Sequence, residues 1–223
     1  MTKTLGLLLA GLACGLSAAQ ERLATVYDVK PVALVAQGAG EGKALYVGQA
    51  LYLDQRVWAK PSGSIGLALV DGSVLRLAGG GELSLAKPSA GPGTLLRLAR
   101  GLLSLVAAKQ DQRQLLVQTG SAVAAVKGTQ YQVDAQDGKT EVKVLEGSVE
   151  LKALSGSAAV LVGAQEAAVS YPDRVDAVRK LSADEVKALK GVMKELVEQK
   201  KKDYAKRVRE ARGKRSAPQE EAK

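Results

Sequence analysis

The feature that most constrains the fold is a two-residue alternation of apolar side chains that glycine interrupts at short intervals. Apolar residues alternate over 65–69, stop at Asp71 and Gly72, and resume over 74–77. Alternation with this period is typical of half-buried strands, and an Asp-Gly pair between two runs predicts a tight turn. Similar runs follow as far as residue 169, with short strands predicted at regular spacing. The part of the chain before Pro172 is therefore predicted to be an all-β sandwich, barrel or solenoid, and periodicity alone does not choose among these three.

The composition removes several kinds of chemistry. The 223 residues include no histidine and no phenylalanine, and Cys14 is the only cysteine. Without imidazoles, and with its one thiol near the start of the chain, the folded part has no Ser-His catalysis and none of the common zinc or copper ligand sets. We assign no catalytic residue, metal or cofactor, and predict that the protein is not an enzyme. The core must then be built from Leu, Val, Ile and Ala.

The first 19 residues predict export. Lys3 precedes an apolar run over 5–16, and Ser17, Ala18 and Ala19 form a small-residue cleavage site. The run is shorter than the roughly 20 apolar residues of a membrane-spanning helix, and no later stretch is long enough. We therefore expect a signal peptide over 1–19 and a location in the periplasm or cell envelope, with no transmembrane span. A lipoprotein anchored through Cys14 is the alternative.

Several short motifs, in order, resemble the FecR domain. The segments that carry the resemblance are 47–50 (VGQA), 65–77 (IGLALVDGSVLRL), 98–103 (LARGLL), 117–123 (VQTGSAV), 126–133 (VKGTQYQV), 142–149 (VKVLEGSV) and 161–165 (LVGAQ). The FecR domain is best known as the periplasmic sensing part of iron-responsive transmembrane regulators. The resemblance implies a mainly β, solenoid-like or roll-like domain over 20–171, with a β-sandwich as the alternative, which binds partners and catalyses nothing.

The chain also departs from those regulators. They carry a cytoplasmic segment that binds a sigma factor, and then a membrane span, ahead of this domain; here the predicted signal peptide takes that place. We therefore expect a stand-alone exported FecR-domain protein, for which the family resemblance implies fold more than function.

The motif residues with turn chemistry are expected to be structural. They are Asp71, Gly72, Gly101, Gly128, Thr129, Glu146 and Gly147. A ligand surface formed by successive turns is the alternative, but glycine at turns supplies backbone freedom, and Asp or Thr supplies a side-chain cap. Gly101 is expected to turn the chain between two strands. Trp58 is expected to be buried at the edge of the core, with ligand stacking beside its neighbouring cations as the alternative.

After Pro172 the periodicity changes from strand to helix. A linker over 172–181 is expected to lead into an amphipathic basic helix over 182–213, followed by a disordered tail over 214–223. Ser182 and Glu185 have the spacing of a capping box. An apolar stripe begins at Val186 and Leu189 and continues at helical spacing. It is expected to dock on the β domain or on a partner helix.

The second half of this helix is cationic. Between 198 and 215 there are nine Lys or Arg side chains and three acidic ones, a net charge of +6 out of +9 for the chain. The candidate residues for binding an anionic surface are Lys200, Lys201, Lys202, Lys206, Arg207, Arg209, Arg212, Lys214 and Arg215. Anionic lipids, acidic cell-wall polymers and extracellular DNA are the candidate partners. A solvated tail without a partner is the alternative, and single-stranded nucleic acid is disfavoured because Tyr204 is the only aromatic residue there.

Three functions follow from these patterns. The first is a non-enzymatic envelope module, binding or scaffolding an envelope protein or glycan, which its basic helix tethers to an anionic surface. The alternative is the ligand-sensing component of an envelope signalling system that acts through a partner protein. A glycan-processing enzyme is the least favoured, because the acids are scattered near turns.

Overall fold

The protein is mainly β, with one C-terminal helix. The computed structural model describes residues 21–89, 91–109, 114–126, 128–156 and 159–216, with the backbone alone at 204 and 207–216. The strands are β1 (Arg22–Lys30), β2 (Ala33–Gln37), β3 (Lys43–Ala44), β4 (Ala50–Tyr52), β5 (Gln55–Ala59), β6 (Ser64–Leu69), β7 (Val74–Ala78), β8 (Glu82–Ala86), β9 (Gly93–Val106), β10 (Gln114–Gln118), β11 (Ala122–Val126), β12 (Gln130–Gln136), β13 (Lys139–Glu146), β14 (Val149–Ala153), β15 (Ala159–Val162), β16 (Glu166–Ser170) and β17 (Arg179–Lys180). The helix is α1 (Ala183–Ser216). The predicted fold class is confirmed.

The strands form a two-layered arrangement that is not closed into a barrel. Sheet I has the order β4-β1-β6-β7-β9-β12-β13-β16-β17, and sheet II has the order β3-β2-β5-β8-β9-β10-β11-β14-β15. Apart from β3 and β4, both orders follow the chain. The fold thus combines the two facing layers of a sandwich with the stepwise advance of a solenoid, the two alternatives that the sequence left open.

Strand β9 joins the two sheets. Its first half pairs with β8 and β10 in sheet II, and its second half pairs with β7 and β12 in sheet I. The prediction of a turn at Gly101 is therefore wrong, because the chain continues as one 14-residue strand. Gly101 instead has a φ of 100°, and a Cβ there would lie 2.5 Å from the Cα of Gly81. It supplies a bend and a close backbone approach, which only glycine tolerates.

The inward side chains of both sheets form one core. Leu67, Leu105 and Val142 of sheet I pack in the same cluster as Leu96 and Leu151 of sheet II. The core is almost wholly aliphatic, and Tyr131 is its largest fully buried side chain. Period-two alternation produces this core because successive side chains of a strand point to opposite faces of its sheet.

Strands β1 to β5, over residues 22–59, were not predicted from the sequence. β3 and β4 are only two and three residues long, and β1 has irregular register after Arg22 and after Val26. A bulge moves later side chains to the other face, so the two-residue pattern is lost within the strand. The predicted signal peptide, residues 1–19, lies outside the described residues.

Helix α1 packs on the outer face of sheet I. Leu189, Met193 and Leu196 are buried there against Val74 and Val106, in a second cluster that also contains Ala68 and Leu145. Burying each of these helix side chains stabilises the docked state by about 1.5–3 kcal/mol. The segment expected as a linker, 172–181, contains β17, and its Val175 and Val178 pack against the main core. Residues 217–223 of the predicted tail lie outside the described residues.

Candidate functional site

The turn between β6 and β7 is held by its own side chains. The carboxylate of Asp71 accepts hydrogen bonds from the Ser73 backbone N–H (2.8 Å) and from the Ser73 hydroxyl (3.0 Å). The Ser73 hydroxyl oxygen also accepts a bond from the Ala108 N–H at 2.9 Å. Gly72, between them, has a φ of 88°. These contacts fix the turn against the chain that leaves β9.

The motif residues of the second half meet near the same place. Thr129 is fully buried, its hydroxyl donates to the carbonyl oxygen of Ser148 at 2.9 Å, and its own carbonyl accepts from the Ala107 N–H at 2.9 Å. A Cβ on Gly147, where φ is 84°, would lie 2.8 Å from the Thr129 hydroxyl. Gly128 has a φ of 68° and lies against the side chain of Lys109. The geometry supports the structural interpretation of these turns.

Glu146 has an exposed side chain. It accepts a hydrogen bond from the Gln130 side-chain amide and lies on a shallow groove of about 350 Å³ between α1 and sheet I. Leu145, Met193 and Val197 form the apolar part of its wall. Charged side chains of α1 and β13 surround these apolar residues. The groove is open to solvent and is not an enclosed cavity.

The N-terminus of α1 is anchored by a charged cluster. Glu185 accepts a hydrogen bond from the Ser182 N–H (2.9 Å), and the Ser182 hydroxyl accepts one from the Glu185 N–H (3.2 Å), which are the two bonds of the predicted capping box. Glu185 also pairs with Arg179 at 2.8 Å and with Lys143 at 2.9 Å, and Arg179 reaches Glu141 at 2.8 Å. The hydrogen bonds from Arg179, Ser182 and Lys143 hold the pKa of Glu185 well below its usual range. No sequence pattern indicates the pairs with Lys143 and Glu141, since these sheet residues are distant in the chain.

A second ion pair fastens the middle of the helix. Arg76 on β7 pairs with Glu195 of α1 at 2.5 Å. Tyr27, beside them, donates its hydroxyl to the carbonyl of Leu75 at 3.3 Å, and a Cβ on Gly66 would lie 2.5 Å from its ring. Burial raises the pKa of Tyr27 to about 12. The middle of α1 is thus fixed by polar contacts as well as by apolar ones.

The predicted basic patch is divided by the structure. Lys200 is half-buried, and its ammonium group donates to the carbonyl of Ala107 at 3.1 Å; burial lowers its pKa. It lies against the β domain, whereas Lys201, Lys202 and Lys206 are exposed, Lys201 pairing with Glu198 at 2.8 Å. For the remaining candidates the structure describes only the helical backbone. They are Arg207, Arg209, Arg212, Lys214 and Arg215.

Trp58 is half-buried on the outer face of sheet II, so the prediction that it packs at the edge of the core is wrong. Its neighbours in β5, Val57 and Ala59, point into the core, and the alternation places the indole outside. The guanidinium of Arg56 lies 4.8 Å from the centre of its ring. Glu82 pairs with Arg56 at 3.1 Å and with Arg100 at 3.9 Å. This face therefore carries an aromatic ring among charges, an arrangement suited to polar partners.

The acids on the outer face of sheet I do not form a catalytic pair. Asp134 and Glu141 are cross-strand neighbours beside a shallow pocket of about 190 Å³, which Leu102, Gln132 and Lys143 also line. Glu141 is already paired with Arg179 and, at 3.5 Å, with Lys143. A glycosidase places its two carboxyl groups on either side of the bond that it cleaves. Two adjacent acids on one sheet face do not provide that geometry.

The described residues contain neither a metal-ligand cluster nor a membrane-spanning helix. No group of three or more Cys, Asp or Glu side chains in those residues has an arrangement that could hold a metal ion. In the same part of the chain, no helix combines the length and apolar character needed to cross a membrane.

Known proteins resemble this chain in sequence and in fold. The profile of the family described as "FecR protein" matches residues 55–150. Two crystal structures of a putative anti-sigma factor from Parabacteroides distasonis superpose with a TM-score of 0.51 and 18% identity each; the matched region is 60% of this chain and 63% and 62% of theirs. This chain thus spans less than two thirds of those proteins, and at this identity the similarity shows the fold alone. No curated protein matches the sequence. Residues 55–150 are therefore a FecR domain.

Proposed function

We propose that this protein is a non-enzymatic binding module of the cell envelope that works through a partner protein in envelope signalling. The observation that carries the proposal is the asymmetry of the two sheets. Helix α1 occupies the outer face of sheet I, whereas no described helix packs on the outer face of sheet II. That face presents Arg56, Trp58 and Glu82 on neighbouring strands, with the exposed Arg97 and Arg100 on β9.

The chemistry of sheet II favours a protein or glycan partner. Aromatic and arginine side chains are enriched where proteins recognise each other, because they combine apolar area with directed hydrogen bonds. The FecR family is envelope-associated, and the proteins of similar fold are described as putative anti-sigma factors. These similarities favour a signalling role over a purely structural one. The predicted signal peptide is the basis for placing the module outside the cytoplasm.

A tether is the second candidate, and the exposed cations near the end of α1 favour it. Lys201, Lys202 and Lys206 lie beyond Leu196, the last buried residue among the helix side chains that the structure describes. Each basic residue near an anionic membrane contributes about 1 kcal/mol of attraction, which salt weakens. In this hypothesis the helix binds the surface and the sheets face away from it.

The test is co-sedimentation of the purified protein with the envelope fraction of its source organism, at low and moderate salt. One variant reverses sheet II charges (Arg97→Glu with Arg100→Glu), and another neutralises the helix end (Lys201, Lys202 and Lys206 to Gln). A matched control reverses two exposed helix charges (Lys187→Glu with Lys190→Glu). Charge variants are preferable to truncation at residue 171, because removal of α1 would uncover Ala68, Val74 and Val106.

The proposal predicts that the sheet II variant loses binding by about tenfold or more, while the other two variants bind like the wild type. Loss confined to the helix-end variant, together with weaker binding at higher salt, would support the tether and contradict recognition through sheet II. Binding that all three variants retain would exclude both.

A further inference from the structure

The free edge of sheet II is an uncharged strand. β15 pairs with β14, and no other described strand pairs with it, so alternate backbone N–H and C=O groups face away from the sheet. Leu161 in β15 is 67% exposed, and Leu154, just after β14, is 45% exposed. An apolar edge with unpaired backbone groups is a template for another strand.

The other three sheet edges carry features that oppose pairing. β3 is two residues long and contains Lys43, and β17 consists of Arg179 and Lys180. β4 is three residues long, and the Tyr52 N–H donates to the side-chain oxygen of Gln55 at 3.0 Å. Short length, charge and side-chain caps are the usual protections of an edge strand. Among the edges that the structure describes, β15 is the longest, and it carries no charge.

We infer that two copies of this protein pair antiparallel through β15 and join their second sheets into one. In an antiparallel pair related by a two-fold axis normal to the sheet, each edge strand meets the same strand of the other copy, so a charged edge would face like charges. β15 avoids this repulsion. With the axis at Leu161, each Leu161 lies opposite the partner's Leu161, and outward side chains stay on the outer face. This inference is independent of the proposed envelope partner.

The pairing is expected to be weak and reversible. Four residues of strand and the exposed leucines of each copy bury less than the roughly 1,200 Å² of a standard stable interface. A dimer of this size should therefore form only as the protein concentration rises. The backbone hydrogen bonds supply affinity, and Leu161 supplies the apolar contact at the axis.

Sedimentation equilibrium of the purified protein tests the inference. The wild type should associate to a dimer as concentration increases. Leu161→Lys places two ammonium groups opposite each other and should raise the dissociation constant by at least about tenfold. The matched control is Val47→Lys, at a residue that is 60% exposed between β3 and β4; it should dimerise like the wild type. Circular dichroism checks that both variants remain folded.

A cysteine pair then tests the register. In a Cys14→Ser background, Leu161→Cys should form a disulfide-linked dimer under mild oxidation, and Val47→Cys should not, because cross-strand neighbours lie about 4.5–5.5 Å apart. A wild type that stays monomeric at every concentration overturns the inference. So does a dimer that survives Leu161→Lys, or equal cross-linking by the two cysteine variants.

Discussion

The two sheets have similar inner faces and different outer faces. Both contribute aliphatic side chains to one core, but α1 covers part of the outer face of sheet I, where Leu189, Met193 and Leu196 are buried. Sheet II instead presents Trp58, arginines and the exposed Leu161. The difference shows that the helix covers part of one side of the folded body, and the other side, the outer face of sheet II, is the one that we propose for recognition.

The largest expected effect is on the buried contact of the helix. Leu196→Ala should lower the free energy of unfolding by about 2–4 kcal/mol, because it removes a fully buried side chain and leaves a cavity between α1 and sheet I. Leu161→Ala on sheet II, measured by the same denaturant titration at a concentration that keeps the chain monomeric, should change it by less than about 0.5 kcal/mol. Equal effects of the two substitutions would remove the proposed distinction between the faces.

An intermediate effect is expected where the two sheets are joined. Gly101→Ala forces a Cβ onto a residue with a φ of 100° and towards Gly81, which immediately precedes β8. It should cost about 1–3 kcal/mol in thermal or denaturant unfolding. Gly120→Ala is the control, because a Cβ there meets no atom within 4 Å. If both variants unfold alike, β9 does not depend on its glycine to pass between the sheets.

The smallest effect is on the pH dependence of helix docking. Because the folded pKa of Glu185 is depressed, its contribution to stability is present above the unfolded value of about 4.3 and is lost as pH falls from there through the folded value. The loss should stay below about 1 kcal/mol, since the pairs are near the surface.

Denaturant unfolding at pH 6 and pH 3 checks this expectation. Glu185→Gln should lose less stability than the wild type over that interval, while its amide can still cap the helix. Glu150→Gln, on the outer face of sheet II, serves as the control and should follow the wild type. An unchanged pH dependence in Glu185→Gln would show that the charged cluster does not hold the helix.

Much of the fold could be predicted because alternation and turn chemistry are local. The alternation over 65–77 indicates which side chains face the core. Gly128 and Gly147 indicate where the chain turns between strands. The capping box at Ser182 could be predicted for the same reason, since its two bonds link residues three apart. Gly101 shows the limit of this reasoning. A glycine with positive φ serves equally in a turn and in a bend, and the pairing of β9 with strands of both sheets decided between them.

The surface contacts could not be predicted because they depend on which faces meet. The position of Trp58 follows from the register of β5, and a single shift would have placed it inside. The basic residues form one cluster in the sequence, yet the carbonyl of Ala107 engages Lys200 and separates it from Lys201 and Lys202. Similarly, no sequence pattern links Arg76 with Glu195 across 119 positions.

The order of the strands has a consequence for how such domains change length. After β9, hairpins are added alternately to the two sheets, and each pairs with the hairpin two before it, as β11 pairs with β14 and β13 with β16. A chain with this strand order can gain or lose a pair of hairpins at the C-terminal end of the two sheets without changing how any earlier strands pair, as repeat proteins gain or lose repeats. Proteins with the same central motifs can therefore differ in the number of strands that follow, while a terminal helix still packs on the central strands of sheet I, as α1 does here.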